Sequence, residues 1–372
     1  MPLASAVHII RAPVTLYSLD PPMARSWMSV DHSALLENAR TVARVSGAPL
    51  LPMIKANGYG VGADHVMHAL EGLDPWGFGV ASIEEGAQLR DLGWGRWRLM
   101  VFSPAQPQWF PAYERYHLTP VFDNADALRM WLGRNGGPFH LEIDTGMSRT
   151  GVRPEALSEW MELLDTPSFE GCFTQFHSAD RDERATTAQW EKLAQAVQSL
   201  RRRPALVHAA NSAGALRGKK FAGDLVRPGL FLYGGAPGDG LPEGRPVAHL
   251  QAQVLSVRRI AGGDTVSYGA TWTAPRATTI ATLGIGYADG VRRAISRARD
   301  AFVLVNGKPY PYAGVVTMDL VMINVGDDPV ERGQIATLLG GQGEQCITLR
   351  RFAEWSEESQ YAVLTGLGPR LT

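Results

Sequence analysis

Between Arg25 and Gly244 the sequence alternates short apolar runs with longer amphipathic stretches, and no other feature restricts the possible folds as tightly. Such units are read as strands joined by crossover helices around a parallel sheet, because a parallel pair needs a connection long enough to bring the chain back to the same end. Eight strands are predicted: Pro49 to Ile54, Trp76 to Ala81, Trp97 to Phe102, His117 to Phe122, Phe139 to Ile143, Phe169 to Phe176, Ala205 to Ala209 and Asp224 to Leu232. His32 to Ser46 and Thr187 to Arg202 repeat apolar residues at three and four positions and are predicted as helices. Eight such units suggest a closed (β/α)8 barrel; an open α/β sheet with a β appendage is the alternative.

After Pro246 the texture changes to shorter runs rich in Val, Ile, Thr and Tyr, such as Gln253 to Val257, Thr278 to Leu283, Phe302 to Val305 and Met322 to Val325. Glycine-containing turns punctuate them, so a separate, mainly-β domain is expected. The predicted division is an N-terminal extension over residues 1–24, packing on the β domain, a barrel over 25–244 and the β domain over 245–372.

With 372 residues the chain is long enough for this arrangement. Its 36 basic and 37 acidic side chains nearly cancel, which removes any bulk electrostatic reason to expect nucleic acid or anionic lipid as a partner. Two cysteines, Cys172 and Cys346, lie far apart and in no CxxC context, so neither a zinc site nor a disulfide framework is suggested. The apolar run Val7 to Leu19 is interrupted by Arg11 and Pro13 and has no basic segment before it, so it does not read as a signal peptide. No stretch approaches the ~20 apolar residues that span a bilayer, and a soluble cytoplasmic protein is expected.

Chemistry concentrates at the predicted strand ends. Lys55 follows the first apolar strand directly, in Lys55-Ala56-Asn57-Gly58-Tyr59-Gly60-Val61-Gly62, at the carboxyl end where barrel active sites lie. Partial desolvation there favours a neutral amine able to form a Schiff base; the plain alternative is a lysine that ends a strand and faces water. The loops after the last two strands carry His208-Ala209-Ala210-Asn211-Ser212 and Val226-Arg227-Pro228-Gly229-Leu230. Barrels commonly bind phosphate at those loops, so Ser212, Gly229 and the Leu230 amide are candidates for that task.

The lysine string resembles the cofactor-lysine motif of the alanine racemases, usually Lys-Ala-Asn-Ala-Tyr-Gly-His-Gly, with Gly58 and Val61 as departures. Further segments resemble that family in order: Asp144-Thr145-Gly146-Met147-Ser148-Arg149, the two loops above, Gly286-Tyr287-Ala288-Asp289-Gly290, Gly314 to Asp319, and the helix around Tyr361. The resemblance implies pyridoxal 5'-phosphate as cofactor and a small amino acid, alanine above all, as substrate. It implies Lys55 and Tyr287 as two bases acting on opposite faces of the substrate carbon, with Tyr287 supplied by the second subunit of a head-to-tail homodimer. Arg149 and the Met318 amide would bind the substrate carboxylate, Arg149 also approaching the cofactor's phenolic oxygen. Tyr59, His208, Asn211, Ser212, Gly229, Leu230 and Tyr361 would surround the cofactor, and Arg227 would face its ring nitrogen. His208 is the expected partner of Tyr287. An arginine facing the ring nitrogen cannot accept a proton, so it keeps that nitrogen unprotonated, which speaks against an amino-acid decarboxylase. A single-domain cofactor carrier would lack Tyr287 and the β domain.

Three positions depart from the family. Glu142 stands where a lysine, often carbamylated, is usual, and it is expected to orient Arg149 directly or through one water. Gln175 occupies the place of the ring-stacking histidine, with His177 two residues on; either can cover the ring, and register favours Gln175. Val315 replaces an arginine, which leaves a broader range, such as serine or larger side chains, as an alternative to alanine.

Overall fold

The computed structural model describes residues 23–368, Arg370 and Leu371, so nearly all of the predicted extension lies outside the described residues. Local sequence sets the first helix, His32–Ser46. Asp31 caps its start by accepting a hydrogen bond from Ala34 N at 2.8 Å, and Gly47, at φ 66°, closes it by donating to Ala43 O at 2.8 Å.

Six parallel strands follow one another around the sheet: Phe78–Val80, Leu99–Pro104, Leu118–Phe122, Phe139–Glu142, Phe169–Phe173 and Leu206–His208. Two short staves close the ring. Segment 49–54 donates from Leu51 N to Val226 O and from Ile54 N to Gly79 O, both at 2.8 Å, so it joins its sequence neighbour on one side and the last stave on the other. Asp224 N bonds Val207 O at 2.9 Å, completing an eight-membered (β/α)8 barrel. Inside it, Leu51, Met100, Val121, Phe173 and Leu225 form their own buried cluster, separate from the larger core beneath the helices. Burial of each contributes roughly 1.5–3 kcal/mol.

Two predicted strands end three or more residues early at their carboxyl ends. Phe169–Phe173 stops before Phe176, and the eighth stave ends near Pro228, after which Leu230–Tyr233 forms a 3-10 turn rather than strand. Proline removes the donor a continuing ladder requires.

The second domain is antiparallel. Its long strand Ala248–Ile260 pairs with Thr278–Leu283 and with Ile335–Gln342, while Val321–Gly326 and Phe302–Val305 extend the sheet outward. The predicted division at residue 25 needs correction. Strand Ser26–Val30 pairs antiparallel with Ala248–Ile260, so the first described strand belongs to the β sheet and the chain enters the barrel only afterwards. Among the described residues no helix is long and apolar enough to cross a membrane, and no group of three or more His, Cys, Asp or Glu side chains is placed to hold a metal. Cys172 is buried, Cys346 is exposed, and both are free thiols.

Candidate active site

Immediately after the first stave the backbone turns left-handed. Ala56, Asn57, Gly58 and Tyr59 have φ of 53°, 53°, 64° and 55°, a run that costs about 1–2 kcal/mol at each non-glycine position. Side chains hold it there. Glu85 accepts from Ala56 N and from Ala81 N, each at 2.7 Å, and Asn57 Oδ1 accepts from Ala63 N at 3.0 Å. Strain fixed by its surroundings is a mark of functional sites, and the residue this turn presents at the barrel mouth is Lys55.

Lys55 reaches into a cavity of about 160 Å³ at the carboxyl ends of the staves. Tyr59, Glu142, Arg149, Gln175 and Asn211 line the same cavity, as do Ser212, Arg227, Gly229, Leu230 and Tyr361. Residues named from well-separated segments of the sequence thus converge. Burial lowers the pKa of Lys55, Arg149 and Arg227 lower it further, and Glu85 partly opposes them, so the neutral amine is favoured relative to an ordinary lysine.

One end of the cavity is built for close backbone approach. Ser212 Oγ accepts from Gly229 N at 2.9 Å and from Phe231 N at 3.2 Å, fixing the turn that follows the eighth stave. Asn211 caps the short helix Ser212–Leu216 by accepting from Gly214 N at 3.0 Å. Tyr59 stacks on Tyr233 at 4.5 Å, and a Cβ at position 229 would overlap the Tyr59 hydroxyl, so only glycine fits there. Burial raises the Tyr59 phenol well above its ordinary pKa, so this hydroxyl keeps its proton and can donate it in a hydrogen bond.

On the barrel axis, Arg227 is buried. It donates to Thr174 O at 2.9 Å, Ala209 O at 3.1 Å and Gln175 Oε1 at 3.3 Å, and NH1 meets His208 Nδ1 at 2.7 Å. Burial pushes its pKa down to about 10, which leaves it a cation at neutral pH. Phe102 and Phe173 flank it, with the guanidinium carbon 5.7 and 5.0 Å from their ring centres. Neither aromatic was singled out from sequence. Their signal is a large ring near the carboxyl end of a predicted strand.

Several expectations change. His208 is fully buried with both ring nitrogens engaged, Nδ1 by Arg227 and Nε2 by His140 at 2.9 Å, so it has no atom free to serve as partner of Tyr287. Its strand position put it on the barrel axis beneath Arg227. Between the two ring-covering candidates, Gln175 lines the inner cavity, whereas His177 faces the outer vestibule of about 730 Å³ and bonds Ser178 Oγ at 2.7 Å. With the strand ended at Phe173, alternation no longer applies to these residues. Glu142 does not orient Arg149 directly: no hydrogen bond or ion pair joins them among the described residues, and Glu142 Oε2 is buried without a hydrogen-bond partner. Burial raises the Glu142 carboxyl above its ordinary range, opposed by the Thr150 side chain and by the fields of Arg149 and Arg227.

Tyr287 and Met318 lie in the β domain, on none of the residues that line the Lys55 cavity, and both are substantially exposed, at 40% and 52%. They form one unit. Tyr287 N donates to Thr317 O at 2.9 Å and Ala288 N to Met318 O at 3.0 Å. Beneath them the buried Asp289 carboxylate accepts from Gly286 N at 2.9 Å and Arg370 Nε at 3.0 Å, and pairs with Arg25 at 3.3 Å. Arg370 also bonds Asp319 at 2.8 Å, so two arginines brace the turn carrying the tyrosine against the loop carrying the methionine. Asp289 and Asp319 lie inside the two segments that resemble the family but carry no role of their own in the sequence reading, and Arg25 and Arg370 were not distinguished there.

A desolvated lysine, a tyrosine-lined slot, a cradle of hydroxyl and amide groups and a buried cationic donor form a set that suits a phosphorylated pyridine aldehyde. Known proteins agree. The profile for "Alanine racemase, N-terminal domain" matches residues 30–237 and that for "Alanine racemase, C-terminal domain" residues 247–372. The alanine racemase of Carboxydothermus hydrogenoformans is 34% identical over 362 residues, covering 93% of this chain and 98% of the relative. That of Symbiobacterium thermophilum is 36% identical over 369 residues, covering 94% and 96%. Among solved structures, alanine racemase from E. faecalis superimposes with a TM-score of 0.86 at 30% identity, covering 94% of this chain and 97% of that one. Alanine racemase from Bartonella henselae with covalently bound pyridoxal phosphate gives 0.84 at 27% identity, covering 94% and 99%. On motif order, cavity and whole-chain similarity together, this chain belongs to the alanine racemase family.

Proposed function

We propose that the protein interconverts L- and D-alanine with pyridoxal 5'-phosphate as cofactor, using Lys55 and Tyr287 as opposed bases. The observation that carries this reading is the convergence of Lys55, Arg149, Ser212, Arg227 and Gly229 on one cavity from four separate staves or loops. When bound, the cofactor supplies a conjugated ring that takes up the charge left at the substrate carbon as its proton departs. Lys55 holds the cofactor and, as a free amine, takes or returns the Cα proton on one face; the lowered pKa supports that role. Tyr287 does the same on the other face. Because it lies outside the Lys55 cavity, it is supplied by the second copy of a head-to-tail homodimer, which also brings the Met318 amide to the substrate carboxylate opposite Arg149.

Ser212, Asn211, Gly229 and the Leu230 amide hold the phosphate, Gly229 by letting the backbone approach closely, with Tyr59 and Tyr361 beside it, and Gln175 covers the ring. Arg227 donates to the ring nitrogen and cannot protonate it fully, which restrains charge uptake by the ring and favours simple proton exchange over loss of the carboxyl group. Expression in the cytoplasm fits the two free thiols. The direct test incubates the purified protein separately with each alanine enantiomer and follows the other by chiral chromatography. Both directions are expected to reach the same 1:1 mixture; no conversion from either side, or release of carbon dioxide instead, overturns the proposal.

Gly229→Ala is expected to weaken cofactor retention about tenfold, since overpacking of this kind costs ~1–3 kcal/mol. Equilibrium dialysis reads it, and an unchanged dissociation constant would show that the turn after the eighth stave does not touch the cofactor.

A further inference from the structure

Beneath the cavity a line of polar groups runs down the barrel axis, away from Lys55. Arg227 NH1 meets His208 Nδ1 at 2.7 Å, His208 Nε2 meets His140 Nδ1 at 2.9 Å, and His140 Nε2 faces Glu170 Oε2 at 3.4 Å. His140 and Glu170 are each the second residue of their strands, Phe139–Glu142 and Phe169–Phe173, so the line ends at the amino-terminal floor of the barrel. Both imidazoles are fully buried. Phe173 stacks on His208 at 5.0 Å and Trp76 meets His140 edge-on at 5.6 Å, so no solvent reaches the middle of the line. His140 Nε2 and Glu170 Oε2 are both buried and neither has a hydrogen-bond partner; they face each other across a 3.4 Å contact that falls short of an aligned hydrogen bond.

The proton directions follow from the two ends. A guanidinium only donates, so His208 Nδ1 carries a lone pair and its proton sits on Nε2. That proton points at His140 Nδ1, which leaves the His140 proton on Nε2, aimed at the carboxylate. Glu170 only accepts when ionised, and His140 and Arg98 hold it below the ordinary carboxylate range although burial alone would raise it. Burial, with Arg227 and His140 adding to it, holds His208 well below its ordinary pKa and therefore neutral. Cation and anion thus impose one direction on the whole line, and each hydrogen bond polarises the next.

We propose that Glu170 and His140 are positioning residues for Arg227: by closing this line at the barrel floor they keep a lone pair of His208 aimed at the guanidinium and fix it against the cofactor ring nitrogen. The inference rests on the placement of Arg227 proposed above. The plain alternative makes Glu170 half of an ion pair with Arg98 that steadies the barrel floor.

The test uses holoenzyme with nitrogen-15 in its histidines, reading imidazole tautomers by NMR and turnover by alanine racemisation. In the wild type both His140 and His208 are expected to carry their proton on Nε2. Glu170→Ala is expected to give His140 mixed tautomers and to lower kcat about tenfold with the alanine KM changed less than about twofold, the split expected of a slightly misplaced donor. Glu170→Gln keeps an acceptor oxygen and restores both readouts. Arg98→Met, which breaks the ion pair but leaves the line intact, matches wild type in both. Should Glu170→Ala not fold, His140→Asn, whose amide can accept from His208 and donate to Glu170, is expected to keep the His208 tautomer and kcat while His140→Leu loses both.

A proton on His208 Nδ1 in the wild type overturns the inference, as do unchanged tautomers in Glu170→Ala, equal behaviour of the two His140 variants, or an Arg98→Met loss equal to that of Glu170→Ala. Tautomers are read without turnover. A protein that shows the expected pattern yet racemises no alanine therefore defeats the proposed function alone, and normal racemisation with tautomers indifferent to Glu170 defeats this inference alone.

Discussion

Lys55→Ala is expected to leave a folded protein that racemises alanine on the order of 10⁴-fold more slowly than wild type, or not measurably. The size follows from two tasks lost together: the covalent hold on the cofactor and the base on one face of the substrate carbon. Folding is spared because the side chain projects into the cavity and packs into no part of the core. Lys55 has a folded-state pKa below its unfolded value, so folding disfavours the ammonium form. That penalty is fully present when the pH lies below the folded pKa and disappears as the pH rises above the unfolded one. At neutral pH the cofactor-free alanine variant is therefore expected to melt no lower than the cofactor-free wild type, which separates loss of chemistry from loss of fold. Calorimetry at neutral pH beside the chiral assay decides it; retained racemisation at a tenth of wild type or more would remove Lys55 from the reaction.

Much of this site was legible because chemistry and backbone geometry coincide in the sequence. Helix His32–Ser46 has the predicted bounds because a capping aspartate and a terminating glycine bracket it, and both signals are local. Lys55 was legible because it directly follows an apolar run, Ser212 and Gly229 because parallel barrels gather the loops of the last two strands at the same end, and Arg149 and Arg227 through the family resemblance. What escaped depends on partners distant in sequence. Ser26–Val30 reads as a lead-in to the barrel, and only its pairing with Ala248–Ile260, more than two hundred residues on, places it in the other sheet. His208 was assigned to Tyr287 by resemblance, but the direction of its side chain belongs to the barrel interior, where Arg227 and His140 claim both nitrogens. Glu170 and His140 sit at the floor of the barrel, where no catalytic signal is sought, and Glu142 makes no direct contact with Arg149 because a side chain's reach across a cavity is a tertiary distance.

Tyr287→Phe carries the second large effect, and a mixing experiment locates the tyrosine as well as testing it. Removing the phenolic oxygen while keeping the ring is expected to lower racemisation by at least about 10³-fold, with deuterium exchange at Cα surviving from the enantiomer whose proton Lys55 takes and vanishing from the other. The turn itself should hold, because it is braced through backbone amides and Asp289 and the hydroxyl takes no part. Now let Lys55→Ala and Tyr287→Phe subunits, each inactive alone, be dissociated together and reassembled. If the tyrosine crosses from one copy to the other, every hybrid dimer contains one site with both native bases and one site with neither. Random pairing makes half of the dimers hybrids and half of their sites intact, so activity should return to about a quarter of wild type. If tyrosine and lysine serve within one chain, each hybrid site lacks one base and nothing returns. Full exchange from both enantiomers by Tyr287→Phe would remove the second base, whereas an inactive variant that mixing cannot rescue would keep the base and discard the shared site.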